Sequence, residues 1–289
     1  MNWVNAVIQG VLLGGLLALF ACGLSLLFGT MKVINLAHGD LAIVAAFLAV
    51  EFAPALHLSG LLSILFVVPI FVLLGYVGQR TLIQTALDRG AFTVLLVTFG
   101  LSVIIENLLL EAFSADSHSI GIGSLVSGSI HVTDQISIAY ISLGIFVLAV
   151  VVLLGLQYFL SRSRTGRMIR AVADDSEAAQ LSGVGYRHVF GVAAAVAFGT
   201  VALAGIAFGT YSSFNASSGV NWLLYAFEAV VIGGLGSLWG TLLGGIIIGV
   251  SQTVAGQYDP SLQIIAGHVV FLAVLAIRPE GITGRRVML

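Results

Sequence analysis

Long apolar runs separated by short polar connections make up most of the chain. A helix needs about 20 apolar residues to cross a bilayer, and reading for such runs predicts nine transmembrane helices. They cover residues 4–28, 36–53, 61–78, 92–110, 138–160, 189–210, 223–231, 238–254 and 262–277. The run at 223–231 is the shortest, so eight crossings and a re-entrant piece are the alternative. The predicted fold class is all-α, a polytopic transmembrane helical bundle that forms one domain over residues 1–289.

The composition excludes most other classes of protein. Hydrophobic residues make up 59% of the chain, and Asp, Glu, Lys and Arg only 8%, whereas a soluble domain carries about 25% charged residues. A soluble enzyme or a disordered protein needs more charge than this, and a nucleic-acid binder needs a basic face. Membrane lipid is therefore the expected surroundings, with no nucleic-acid partner. The single Cys22 excludes an intrachain disulfide, and the His and Cys spacings suggest no metal site.

The basic residues predict the orientation of the bundle. With nine crossings, all 11 of them fall on one side of the membrane, and the connections on the other side hold none. Because basic residues concentrate in cytoplasmic loops, we expect the N-terminus outside and the C-terminus in the cytoplasm. These residues are Lys32, Arg80, Arg89, Arg162, Arg164, Arg167, Arg170, Arg187, Arg278, Arg285 and Arg286.

The longest predicted cytoplasmic segment, residues 161–188, has a helical pattern of its own. A turn is expected at Thr165 and Gly166. Asp174 followed by Glu177 fits a capping box, and Gly183 stands where a helix often ends. One interpretation is a solvated loop whose arginines only set the topology. The other is a docking helix for a cytoplasmic partner, because so short a helix is marginal in isolation.

Polar residues inside the apolar runs are candidates for function, because they are costly in hydrocarbon. Glu106 and Asn107 lie in the fourth run, Glu228 lies in the seventh, and Asn35 and His38 lie near the start of the second. We predict that all five belong to the substrate pathway or its gate. Plainer alternatives exist: Glu106 is protonated or close to water, and Asn35 and His38 cap the second helix, since Asn is a favoured N-cap.

Glycine has two predicted roles in the bundle. Gly10 and Gly14 exemplify a spacing of four residues that lets two helices approach closely. Gly233, Gly234 and Gly236 instead interrupt a helix. Such a break leaves backbone groups that protein or a water-filled cavity must cover, and transporters often bind substrate beside one. These three glycines are therefore placed in the predicted pathway.

Four stretches carry a resemblance to a known family. They are GLSLLFGTMKVINLAHGDL at 23–41, SRTGRMIRAVADDSEAAQLSGV at 163–184, FEAVVIGGLGSLWGTLLGGIIIGV at 227–250 and RPEGITGRR at 278–286. In this order, over essentially the whole chain, they resemble the LivH-type permease of bacterial branched-chain amino-acid ABC transporters. The LivM-type partner permease and permeases for urea or short amides are similar by motif.

The resemblance implies a subunit of an importer in the bacterial inner membrane that translocates Leu, Ile and Val. Its partners would be a LivM-type second permease, two ATPase subunits, and a periplasmic or lipoprotein substrate-binding protein. The segment at 161–188 would hold the coupling helix. The residues assigned to ATPase coupling are Arg164, Gly166, Arg167, Arg170, Asp174, Asp175, Glu177, Ala178 and Gly183.

The chain itself is expected to be neither an enzyme nor a cofactor-binding protein. It contains no G-x-x-x-x-G-K-[ST] phosphate loop, so partner subunits would use the ATP. Two other classes remain as alternatives. Ser237 and His268 partly match the dyad of an intramembrane serine protease, which requires the two side chains to meet. In an ion-driven secondary transporter, Glu106 and Glu228 would be proton or cation sites, and His268 is otherwise predicted to be a hydrogen-bonded packing residue.

Overall fold

The computed structural model describes residues 3–55, 60–121, 128–133 and 136–283, which are mostly helical. Its helices are α1 (Trp3–Met31), α2 (His38–Ala55), α3 (Ile64–Gly78), α4 (Gln84–Leu87), α5 (Ala91–Phe113), α6 (Tyr140–Arg162), α7 (Arg164–Asp174), α8 (Ser176–Leu181), α9 (Tyr186–Tyr211), α10 (Gly219–Gly233), α11 (Leu238–Ala255) and α12 (Leu262–Ile277). A π-helical turn at Gln79–Ile83 joins α3 to α4, and short 3-10 turns cover Gly60–Ser63 and Ala216–Ser218. The predicted all-α class is confirmed.

The described strands form one small hairpin between α5 and α6. Strand β1 (Ser129–Thr133) pairs antiparallel with β2 (Ile136–Ala139), with Ser129 opposite Ala139. The hairpin belongs to the connection between two predicted spans, where a pair of strands can bond outside the apolar helices.

Each of the nine apolar runs contains a helix of the described structure, but the helices differ in length. Within the described residues, six helical segments have the length and hydropathy of a membrane span: Trp3–Met31, Ile64–Leu87, Ala91–Phe113, Tyr140–Arg162, Tyr186–Tyr211 and Leu238–Ala255. The helices α2, α10 and α12 contain 18, 15 and 16 residues. The chain is therefore a multi-pass membrane protein with six candidate spans, and the count of nine crossings stays a prediction.

The helices α1 and α9 form the centre of the bundle. Most of α1 and α9 is buried, whereas only about a quarter of α3, α5 and α6 is. Their exposed residues are large and apolar, as at Leu65, Phe92 and Val151. An outer surface of this kind suits a bilayer, because lipid chains replace water around it.

Glycines allow α1 and α11 to pack almost backbone to backbone. A Cβ on Gly14 would lie less than 3 Å from the Cα of Ile246, and one on Gly10 less than 3 Å from the Cα of Val250. Gly245 and Gly249 of α11 face the backbone of α1 in return. This confirms the predicted packing role of the four-residue glycine spacing, which lets two backbones approach.

The substitution Gly14→Ala should destabilise the protein, because its methyl group forces α1 away from α11. Overpacking of this kind typically costs roughly 1–3 kcal/mol. Gly155→Ala is the matched control, since nothing lies within 4 Å of a Cβ at that helical position. Thermal unfolding of both variants in detergent checks this, and equal midpoints for the two would show that the close contact is unimportant.

Candidate functional site

The chain leaves the helical path between α1 and α2, at residues 32–37. Lys32 has a φ of 55°, which ends α1. The side-chain oxygen of Asn35 accepts a hydrogen bond from the N–H of Ala37 at 3.1 Å. The N–H of Leu36 donates to the hydroxyl of Thr98 in α5 at 3.1 Å. Two backbone groups that would otherwise be unpaired are thereby satisfied, as membrane surroundings require.

His38, the first residue of α2, contacts the interior of α1. Its side chain is fully buried, and its Nε2 lies 2.8 Å from the carbonyl oxygen of Phe20. At 1.5 Å per residue, Phe20 is about 16 Å along α1 from its C-terminal residue. The ring therefore joins two helices, and the alternative in which His38 caps α2 is wrong. Asn35 does cap a local turn just before α2, and the gate role of both residues stays a prediction.

A second polar contact links α2 to α5. Asp40 is 1% exposed, and its carboxylate accepts a hydrogen bond from the hydroxyl of Ser102. Glu106 is half-buried one helical turn further along α5, close enough to interact electrostatically with Asp40. Asn107 is exposed, and its amide donates to the carbonyl oxygen of Val103 at 2.8 Å.

Sequence reasoning did not place Asp40 or Ser102 among the site residues. The signal that could have found them is the spacing of Thr98, Ser102 and Glu106. Residues four apart share one face of a helix, so α5 presents a polar stripe there. The structure shows that this stripe faces the start of α2.

Glu228 in α10 and His268 in α12 form a buried pair. The Oε1 of Glu228 lies 2.5 Å from the Nδ1 of His268. The Glu228 side chain is almost wholly buried, whereas about a third of His268 is exposed. The ring of Tyr225 stacks on His268 at a centroid distance of 5.7 Å. Two residues predicted to have separate roles therefore act together, and they attach α12 to α10.

This pairing also removes the protease alternative. The hydroxyl of Ser237 accepts a hydrogen bond from the N–H of Gly240 at 3.1 Å and so caps α11. His268 is bonded to Glu228 instead. Ser237 and His268 therefore have separate partners and form no dyad.

The predicted helix break lies between α10 and α11. Gly234 and Gly236 have φ values of 100° and 84°, a conformation that favours glycine. The carbonyl oxygen of Ile232 accepts a hydrogen bond from the N–H of Ile282 at 2.8 Å. The carbonyl oxygen of Gly233 accepts from both the N–H and the hydroxyl of Thr283. The chain after α12 therefore covers the backbone groups that the break frees.

Two stretches of the family resemblance meet at this break. A Cβ on Gly281 would lie 2.6 Å from the backbone nitrogen of Gly234, and Gly281 has a φ of 78°. Only glycine fits such a contact without strain. The stretches at 227–250 and 278–286 thus depend on each other, although Arg285 and Arg286 lie outside the described residues.

The segment at 161–188 contains two helices rather than one, and α7 is the first. The expected turn at Thr165 and Gly166 is wrong, because both residues lie inside α7. Ser163 caps this helix by accepting from the N–H of Gly166 at 2.8 Å. Arg167 and Arg170 donate to the carbonyl oxygens of Arg162 and Ser161. Ile169 and Val172 are buried, so α7 packs against the bundle, while Arg164 is exposed.

The second helix, α8, follows at once and is mostly exposed. Its cap is Asp175, which accepts from the N–H groups of Glu177 and Ala178 at 2.9 Å. The expected cap, Asp174, is instead the last residue of α7, a helix that the sequence did not predict. Gly183 follows α8 with a φ of 84°, as its predicted place at the helix end requires.

Most of the surface of α8 has no partner in the described structure. Of its six residues, only Ala179 is buried. Leu181, its last residue, is 90% exposed. Such a helix presents an apolar end and the carboxylate of Glu177 to whatever binds it.

Comparison with known proteins decides the family. Residues 6–277 match the family described as the permease component of branched-chain amino acid transport systems. The chain belongs to this family. The resemblance that the four sequence stretches predicted is thereby confirmed, and the family is one of transport permeases.

The individual relatives cover nearly the whole chain. The permease BraD of Pseudomonas aeruginosa is 28% identical over 98% of this chain and 96% of its own length. The permease LivH of Escherichia coli is 26% identical over 99% and 96%. Both are described as high-affinity branched-chain amino acid transport system permeases. The solved structure of PsaBC from Streptococcus pneumoniae in complex with Fab is 14% identical, with a TM-score of 0.48 over 97% of this chain and 93% of that one.

The Glu228–His268 pair should stabilise the attachment of α12. His268→Ala leaves the buried carboxylate without a partner, which typically costs about 3–5 kcal/mol. Replacing both members, as Glu228→Leu with His268→Ala, should cost less, because no buried charge remains. Thermal unfolding of the two variants in detergent measures the difference. A single variant no less stable than the double variant would refute the pairing.

Proposed function

We propose that this chain is a permease subunit of an ATP-binding-cassette importer that translocates Leu, Ile and Val across the bacterial inner membrane. The family match over residues 6–277 carries the proposal. It favours branched-chain amino acids over urea or short amides, because the relatives are described as branched-chain amino acid permeases. An ion-driven secondary transporter would leave the exposed helix α8 without a role.

The proposed assembly contains subunits that this chain does not supply. A periplasmic or lipoprotein binding protein delivers the amino acid, and a LivM-type permease forms the other half of the passage. Two ATPase subunits bind on the cytoplasmic side and hydrolyse ATP, so this chain needs no cofactor. The exposed surface of α8 and its cap at Asp175 are the proposed contact with one ATPase subunit.

The proposed mechanism is alternating access. Closure of the ATPase pair displaces α8, and the helices on either side of it, α7 and α9, carry the movement into the bundle. We assign the pathway and its gate to the places where the helices break or hold buried polar groups. These are Asn35, His38, Glu106, Asn107, Glu228, Gly233, Gly234 and Gly236. The passage is largely apolar, which suits aliphatic side chains and leaves most selectivity to the binding protein.

Reconstitution tests the class of transporter. This chain, a second permease and two ATPase chains should purify together. In proteoliposomes supplied with the binding protein, they should take up radiolabelled leucine only with internal ATP, and isoleucine and valine should compete. Uptake by the purified chain alone under an ion gradient would contradict the proposal.

Coupling to the ATPase is tested on α8. Glu177→Arg with Ala178→Asp should abolish most leucine uptake without loss of the permease from the membrane, because both residues are exposed on α8. Glu280→Arg is a control that changes an exposed carboxylate elsewhere in the chain. Uptake and ATP hydrolysis are measured in the same vesicles. Unchanged transport by the α8 variant would exclude the docking role.

The nine-crossing topology, with the N-terminus outside, is tested with single cysteines in a Cys22→Ala background. An impermeant thiol reagent on spheroplasts should label Asp116→Cys and Asp259→Cys but not Arg89→Cys or Arg278→Cys. If α10 is a re-entrant piece, the last two crossings invert. Arg278→Cys would then be labelled and Asp259→Cys would not, which would overturn the predicted count.

A further inference from the structure

We propose that two contacts at the start of α9 form a latch that carries the movement of α8 to α3 and α4. The contacts join Arg187 to Asp88 and His188 to Tyr76, and we call these four residues the α9 latch. The inference rests on the proposed function, because it assigns a route to the displacement of the coupling helix. Arg187 and Asp88 are positioning residues in this route, since they act on the pathway through other residues.

The first part of the latch is an ion pair between the start of α9 and the turn after α4, which are far apart in the sequence. The Nη2 of Arg187 lies 2.9 Å from the Oδ2 of Asp88, which follows α4. The Nε of the same guanidinium donates to the hydroxyl of Tyr186 at 3.2 Å. Arg187 is thus oriented by its own neighbour toward the turn after α4.

The second part is made by the next residue. The Nδ1 of His188 lies 2.9 Å from the hydroxyl of Tyr76 in α3, and the two rings meet edge to face. Consecutive residues of α9 therefore hold both the end of α3 and the turn after α4. Because both bonds start from the same rigid helix, they restrict the rotation of α9 relative to α3 and α4 as well as its separation from them.

The latch lies where displacement of α8 enters α9. Only four residues, 182–185, separate the two helices, and the N–H of Val184 donates to the carbonyl oxygen of Ala179. Because α8 is exposed on nearly all sides, its C-terminal end is connected to the bundle mainly through this short link to α9. Arg187 and His188 follow directly.

Beyond the latch, α9 and α3 are packed too closely to slide independently. A Cβ on Gly75 would lie 2.7 Å from the carbonyl oxygen of Ala194, and one on Gly191 would lie 2.8 Å from the ring of Tyr76. Tightly packed helices change between discrete arrangements rather than deforming continuously. The latch therefore joins α3 and α9 at one end, and we expect these two helices to move as a unit.

The end of α3 lies next to residues assigned to the gate. The π-helical turn Gln79–Ile83 lies between α3 and α4, and such turns often mark functional sites. Gln79 is buried, and its Nε2 has no hydrogen-bond partner in the described structure. Asn35, Gln79 and Thr98 line one small cavity, so this turn lies beside the segment between α1 and α2.

The latch contributes little to folding, which makes it testable. The side chains of Arg187 and Asp88 are 56% and 40% exposed, and exposed ion pairs add little to stability. Reversing one charge should therefore leave the protein folded while replacing attraction by repulsion at the latch. The reversed pair should restore the attraction.

The experiment uses the complete importer in proteoliposomes and measures leucine taken up per ATP hydrolysed. Arg187→Asp and Asp88→Arg should each lower this ratio about fivefold or more, the low end of usual coupling effects. The double variant should recover most of the loss. Arg89→Asp is the matched control, because it makes the same charge change beside Asp88 at an exposed residue outside the latch.

Two results would overturn the latch. One is an unchanged ratio in both single variants. The other is a double variant as defective as the singles, which would mean that each residue acts separately, for example by contacting an ATPase directly. If the wild-type importer takes up no leucine, leucine is not the substrate, and the proposed function is wrong in that respect instead. The latch is then tested by the stimulation of ATP hydrolysis by the binding protein, which should be lost in the single variants and recovered in the double variant.

Discussion

The absence of water in the hydrocarbon region is the constraint on which this structure depends. Every backbone N–H and C=O group there needs a partner within the protein, which is why the described residues are mostly helical. The two places where helices break show how the constraint is met. The N–H of Leu36 is bonded by Thr98, and the carbonyl oxygens of Ile232 and Gly233 by the chain after α12.

The same constraint explains why buried polar side chains take partners from neighbouring helices at the periphery. Asp40 takes its partner from α5, and Glu228 takes its partner from α12. Both α5 and α12 are largely exposed on their outer faces. A buried carboxylate without a partner is costly, so each pair favours one position of its peripheral helix.

Apolar runs and capping residues predicted the presence of the helices well and the positions of their ends less well. The apolar runs predicted where helices lie, because the length of a span follows from bilayer thickness. The cap of α8 was predicted one residue too early, since Asp174 and Asp175 are equally good caps by chemistry. What selects Asp175 is the continuation of α7 through Asp174. Gly183 was placed correctly because a positive φ at a helix end is a local requirement.

The sequence by itself determined the all-α membrane class, the family, and the presence of a short helix that ends just before Gly183. Each rests on composition, on the length of runs or on motifs, which are properties of neighbouring residues. Only the tertiary structure decided that His38 contacts α1, that Glu228 pairs with His268, and that Arg187 reaches Asp88. These partners are 18 to 99 residues apart. Helical periodicity says which face a side chain occupies, but the packing of the helices decides what that face meets.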